Sequence, residues 1–399
     1  MNSLRFQLGL LAVMQALLLT NNVTLIAVSG LAGFALSPDK ALATLPVTGY
    51  VLGAATASML AAALMRRRGR RFGYTVGATM AIAGALCAAY AVSVGNLWLL
   101  AAATFLTGVF NAFGASYRFA AADVADAWRP GFKARAISLV LAGGIVGGIV
   151  GPELSIVTRT MLPAMYAGSY LALAGFGVLS LLLAQLLRLP PNSDTSAQGV
   201  ARPLSTLLGQ RTCWTAILTA ALSYGVMNLL MVATPIAMQL CNLPYASAAL
   251  VLEWHVIGMF LPGLFTGNLI SRFGVLPIIL TGCVLMFACI GIALSGVDLM
   301  QFLSALFLLG VGWNFMYTGA TTLLTQSYRP AEKAKVQGFN DMVVFLVMVS
   351  SSFGSGVLLE RNGWSLLNWL SLPFIAVAFV AVGSLLLRPG AQTPAGAAR

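Results

Sequence analysis

Trp128-Arg129-Pro130-Gly131-Phe132-Lys133-Ala134-Arg135 returns 200 positions later as Tyr328-Arg329-Pro330-Ala331-Glu332-Lys333-Ala334-Lys335, with a proline and three basic positions in register. Each copy is a short polar loop between two long apolar runs, so the chain reads as two related halves. Marking the runs on either side gives roughly 7–31, 44–65, 73–95, 97–125, 135–158 and 163–187, then 213–238, 246–270, 275–297, 302–327, 337–358 and 365–387. A helix needs about 20 apolar residues to cross ~30 Å of hydrocarbon, and only helices or closed barrels satisfy their backbone groups there. Long uncharged runs select helices. The expected fold is an all-α membrane protein of twelve transmembrane helices in two six-helix bundles, residues 1–187 and 213–399, joined by a linker at 188–212 that holds Pro190, Pro191, Asn192, Asp194 and Gly199.

Composition agrees. The 399 residues are 59% hydrophobic and 8% charged, and the mean hydropathy is +0.91, outside the range of an ordinary soluble domain. The net charge of +12 raises nucleic acid as a partner, and the placement of the charges rejects it. With the N-terminus inside, Lys40, Arg159 and Arg361 fall outside and Arg118 within a span, leaving 18 of the 22 Lys and Arg at cytoplasmic ends and loops. Basic segments resist translocation and favour the anionic cytoplasmic leaflet, so the basicity is topological. The reading places both termini in the cytoplasm, a multi-pass chain in a bacterial inner membrane, and a first span that is retained rather than cleaved. Cys87, Cys213, Cys241, Cys283 and Cys289 lie in or beside apolar runs, without the spacing of a metal site or a disulfide framework. No nucleophile with a base, phosphate-cradling glycine loop or paired metal ligands is present, so neither catalysis nor a cofactor is expected. Duplicated six-span halves suit a carrier, because rocking one half on the other exposes a central site to each side in turn.

The loops after spans two and eight resemble the signature of the major facilitator family: a glycine, three residues, an acid, Arg, any residue, Gly and a basic pair. Gly267, Arg272 and Gly274 fit it, with Ser271 replacing the acid. In the earlier loop Arg67, Gly69, Arg70 and Arg71 fit, with Ala62 for the glycine and Arg66 for the acid, so a charge relay through that acid does not carry over. Gly147 and Gly151-Pro152 resemble the glycine–proline motif of family antiporters, yet Ser138 replaces its first glycine and Thr104 stands where another family motif has Arg. The stretches Glu253-Trp254-His255-Val256-Ile257-Gly258-Met259-Phe260, Gly312-Trp313-Asn314-Phe315, Lys333-Ala334-Lys335-Val336-Gln337-Gly338-Phe339-Asn340-Asp341 and Tyr117-Arg118-Phe119-Ala120-Ala121-Ala122-Asp123 resemble one proteobacterial group of the family, some of whose members are associated with riboflavin uptake. The resemblance covers most of the chain. It implies a monomeric secondary transporter of a small organic solute, working by alternating access with protons as candidate driving ion and a flavin as one candidate solute. Proton-driven efflux and a non-transporting receptor or scaffold are the alternatives.

An ionisable group at membrane depth costs about 2.5–3.5 kcal/mol on insertion scales, so each one asks for a partner, a cavity or a role. In span four Asn111, Gly114 and Arg118 lie on one stripe, and Arg118 suits an anionic or hydrogen-bond-accepting solute group; a structural salt bridge to Asp123 or Glu253 is the competing reading. Glu253 and His255 lie roughly 10 to 14 Å into span eight, and about 200° of helical rotation separates them. Glu253 is the candidate proton carrier, because desolvation favours a neutral carboxyl. His255 is either a second such group and solute ligand or a bond between helices. Gln15 and Asn22 in span one, Tyr224, Asn228 and Met231 in span seven, and Trp313, Asn314 and Tyr317 in span ten could line a pocket for a flat solute, packing of the bundle being the alternative for each stripe. Gating salt bridges are expected among Arg67, Arg70, Asp123, Asp126, Arg129, Lys133, Arg272, Arg329 and Asp341 at the cytoplasmic mouth.

Overall fold

The computed structural model describes residues 4–128, 133–189 and 202–387. All regular structure among the described residues is helical. Spans one to three are Leu4–Leu36, Leu45–Arg68 and Arg70–Ser93. Span four is Leu97–Gly114, continued after a two-residue break by Tyr117–Trp128. Spans five to seven are Lys133–Thr158, Ala167–Leu186 and Arg211–Leu240. Span eight is Tyr245–Phe260 with Gly263–Phe273, bent by 40°. Spans nine and ten are Val275–Ser295 and Leu299–Thr325.

Ten described helices are long and apolar enough to cross a membrane, and the bent pair makes eleven. The last of the ten is two spans in one run, Lys333–Leu386, broken at Gly363 with φ 73° and ψ 177°. Dividing it there gives the twelve the sequence predicts. The breaks in spans four and eight interrupt runs that the sequence reads as continuous. Pro262 ends the first piece of span eight because its ring removes a backbone donor and crowds the preceding turn. In span four the Ser116 hydroxyl donates to the carbonyl of Phe113 (2.8 Å), taking an acceptor at the end of the preceding helix.

The repeat is visible in the backbone. Gly69 and Gly274, the glycines that close the loop signature, adopt φ/ψ of 85°/157° and 90°/161°. Each donates its amide to a carbonyl four residues back at 2.9 Å, Met65 and Ile270 respectively. Only glycine enters that region without steric cost. Close helix pairs also recur: a Cβ on Gly108 would overlap the Tyr50 carbonyl of span two, and one on Gly310 would overlap the His255 carbonyl of span eight. Small residues let backbones approach this closely where the hydrophobic effect between helices is weak.

An even number of spans puts both chain ends at one end of the bundle, here the terminal end; the other is the distal end. Distal parts of the first six spans, including Leu25, Val28, Val47, Leu100 and Tyr170, share one apolar core with the last six. The terminal-end residues Leu8, Leu11, Met14, Tyr74, Phe113 and Tyr117 form a separate core. The two sets of six helices are thus fused distally and part towards the terminal end.

Candidate solute site and gates

Arg118 lies one residue into the second piece of span four, so the break sets where its side chain emerges. It is exposed, with its guanidinium 4.9 Å from the ring of the adjacent Phe119. Asp341 on span eleven is exposed as well, and Arg118 is within electrostatic range of Asp341, Tyr224 and Tyr317. One cation from the first six spans thus lies near enough to a carboxylate and two phenols of the last six for their charges to interact. Of the competing carboxylates, Asp123 pairs with Arg70 at 2.6 Å, while Glu253 lies near the like-charged Glu153.

Beside Arg118, the predicted aromatic stripes of spans seven and ten form a cluster. Trp313 and Tyr317 stack with centroids 5.3 Å apart and planes 8° from parallel, and Tyr224 meets both edge-on at 5.0 and 4.8 Å. Residues i and i+4 on one helix lie one above the other, which is why Trp313 and Tyr317 stack. Trp313 is 7% exposed, and its indole N–H has no partner. Span one joins span four through Asn22, whose Nδ2 donates to Asn111 Oδ1 at 3.0 Å while its own Oδ1 is unpartnered. Gln15 is buried on span one against Gly144 of span five.

Other predicted ligands hold helices together. Asn228 Nδ2 donates to the Met348 carbonyl (3.1 Å) and the Ser351 hydroxyl (3.0 Å), tying span seven to span eleven. Asn314 Nδ2 donates to the Met259 carbonyl and its Oδ1 accepts from Thr266, both at 2.7 Å, so it bridges the break in span eight. His255 is fully buried, and its Nδ1 donates to the Leu306 carbonyl of span ten at 2.7 Å. These three place their amide or imidazole groups on neighbouring helices rather than beside Arg118. Glu253 is half-buried on span eight, near Glu153 of span five.

Among the described residues, the hydrogen bonds between the two sets of spans are distal. Tyr245 of span eight donates to the Ser155 hydroxyl of span five at 2.8 Å, and Arg159 lies over the Tyr245 ring at 4.1 Å. Thr48 of span two bonds Ser352 of span eleven at 3.4 Å, and Gly356 sits against Thr44. This distal latch was missed in the sequence, although Arg159 stood out as one of three cations on that side. Gly147 and Gly151 pack on span one, so helix contact accounts for the partial glycine–proline motif.

At the terminal end, Arg70–Asp123 is a bond within the first six spans. Arg67, Arg272 and Arg329 are exposed; Arg272 lies 5.2 Å over the Phe273 ring, and the Arg329 amide donates to Glu332. Arg129 falls outside the described residues, as do the side chains of Asp126 and Lys133. A clamp not foreseen joins the linker to the last six spans: Arg202 Nε and Nη2 donate to Glu332 at 2.7 and 2.8 Å. The guanidinium and the Arg329 amide hold the Glu332 carboxyl well below the usual carboxylate range.

The model of the Major Facilitator Superfamily matches residues 8–352 and, in a second match, 216–399. A curated relative, the riboflavin transporter RfnT of Brucella anthropi, is 40% identical over 394 residues, 98% of each chain. An uncharacterized MFS-type transporter of Bacillus subtilis, YdeG, is 26% identical over 82% of this chain and 80% of its own. Among solved structures, a D-xylose–proton symporter superposes with a TM-score of 0.74 at 12% identity, covering 95% of this chain and 97% of its own. A bacterial homolog of the human lysosomal transporter Spinster, inward-facing and occupied, gives 0.70 at 15% identity over 94% and 95%. Both likenesses concern the fold.

Proposed function

Because the chain belongs to the Major Facilitator Superfamily, and is a secondary transporter rather than an enzyme, we propose that its solute is riboflavin or a close flavin analogue, taken up across a bacterial inner membrane. The observation that carries this is the stacked Trp313–Tyr317 pair with Tyr224 edge-on, facing Arg118 from the opposite set of spans. A flat ring system gains from such faces, and its carbonyl edge suits a guanidinium and an unpartnered indole N–H. The 40% identity to a riboflavin transporter over nearly all of both chains supports the same solute.

The two domains of this reading are 1–187 and 213–399, with 188–212 as linker, and the carrier acts as a monomer. The charge bias sets the terminal end in the cytoplasm. The distal latch is then the closed outer gate, and the form described is inward-facing. Arg118, Trp313, Tyr317 and Tyr224 bind the solute, with Asn22, Asn111 and Gln15 flanking them from span one and span four. Protons are the proposed driving ion.

The test is growth of a riboflavin auxotroph lacking its own uptake system on limiting riboflavin. The chain should restore growth, and Arg118→Ala should not. Failure of the unsubstituted chain to restore growth while present in the membrane would refute riboflavin import.

A further inference from the structure

We propose that Asp341 is the internal counter-ion that lets the empty carrier return, closing on Arg118 when no solute occupies it; this rests on the solute reading above. Alternating access requires the inner end to close in both the loaded and the unloaded carrier. Closure withdraws Arg118 from water, and an unpaired cation there is strongly penalised. In the loaded carrier an accepting edge of the solute lies against the guanidinium. In the empty carrier a protein group must take that place.

Asp341 is positioned to do so. Arg118 at the start of the second piece of span four and Asp341 near the start of span eleven belong to opposite sets of spans, are both exposed, and lie close enough for their charges to interact. Their side chains are not joined in the inward-facing form, whereas Arg70–Asp123 and Arg202–Glu332 are formed at 2.6 and 2.7 Å. Asn340 orients the acid, donating its Nδ2 to Asp341 Oδ1 at 3.1 Å, and Asn340 itself is 6% exposed. Among the described residues, the charged and titratable groups whose charges reach Asp341 are Arg118 from span four, Tyr224 from span seven and Tyr317 from span ten. Rocking the halves to close the inner end brings Arg118 and Asp341 together, and solute on Arg118 takes the acid's place. Asp341 is thus a positioning residue acting through Arg118, separate from the groups that hold the solute.

The experiment separates exchange from net flux. In exchange the carrier crosses loaded in both directions, while net flux requires an empty return. In proteoliposomes with radiolabelled riboflavin, Asp341→Asn should retain counterflow within about twofold and lose net efflux by roughly a hundredfold, the scale of an uncompensated charge in a closed interior. Asp341→Glu, which keeps the charge, should retain both. Equal retention of exchange and net efflux in Asp341→Asn would overturn the inference, as would loss of both in monodisperse protein, or loss of net efflux in Asp341→Glu. Absence of riboflavin counterflow in the unsubstituted chain would instead overturn the flavin reading and the inference with it.

Discussion

Trp313 and Asn314 are neighbours in the sequence with different work in the structure. The indole is stacked on Tyr317 with a free N–H, while the amide is consumed by Met259 and Thr266 across the break in span eight. Trp313→Phe should therefore raise the half-saturating riboflavin concentration about fivefold, because the N–H it removes is worth about 1 kcal/mol in a hydrogen bond to the solute, while a ring still fills the buried position. Asn314→Ala should do the reverse: a buried carbonyl left without its donor costs about 1–3 kcal/mol, seen as a lower unfolding temperature in detergent with affinity retained. Residue type and helical spacing were enough to pick out Arg118 and the aromatic stripes, since a charge at membrane depth and an i, i+4 aromatic pair announce themselves. They could not separate Asn228, Asn314 and His255 from ligands. That depends on which carbonyl of a facing helix lies within reach, and no single helix carries the information.

Element by element, the twelve apolar runs are legible in the sequence because apolar length is a local property. Breaks in spans four and eight were not drawn, even though Pro262 marks one of them, since both pieces are apolar and read as one run. The contact between spans five and eight was also hidden, because it joins Ser155, Arg159 and Tyr245 from elements 90 residues apart. In the orientation proposed above it is the outer latch, and it should hold the inward-facing form. Tyr245→Ala removes both the hydroxyl bond and the ring under Arg159, and should shift the population towards the outward-open form. In a chain with Cys241→Ser, a reporter Ser352→Cys should then react several-fold faster with an impermeant maleimide added outside cells. Unchanged reactivity would remove the latch from the gating scheme.

For the whole molecule, the distally shared core sets which end is closed, and the Arg202–Glu332 pair ties the segment before span seven to the turn before span eleven. Glu332 has a lowered folded pKa, so its contribution to stability is complete above its unfolded value of about 4.3 and is lost as pH falls through the folded value. Glu332→Gln should lower the unfolding temperature at pH 7, and its difference from the unsubstituted chain should shrink below pH 4. Radiolabelled riboflavin should enter proteoliposomes holding the unsubstituted chain in a saturable manner and be displaced by unlabelled riboflavin but not by ribose. Uptake no greater than in protein-free vesicles, from monodisperse reconstituted protein, would contradict riboflavin transport.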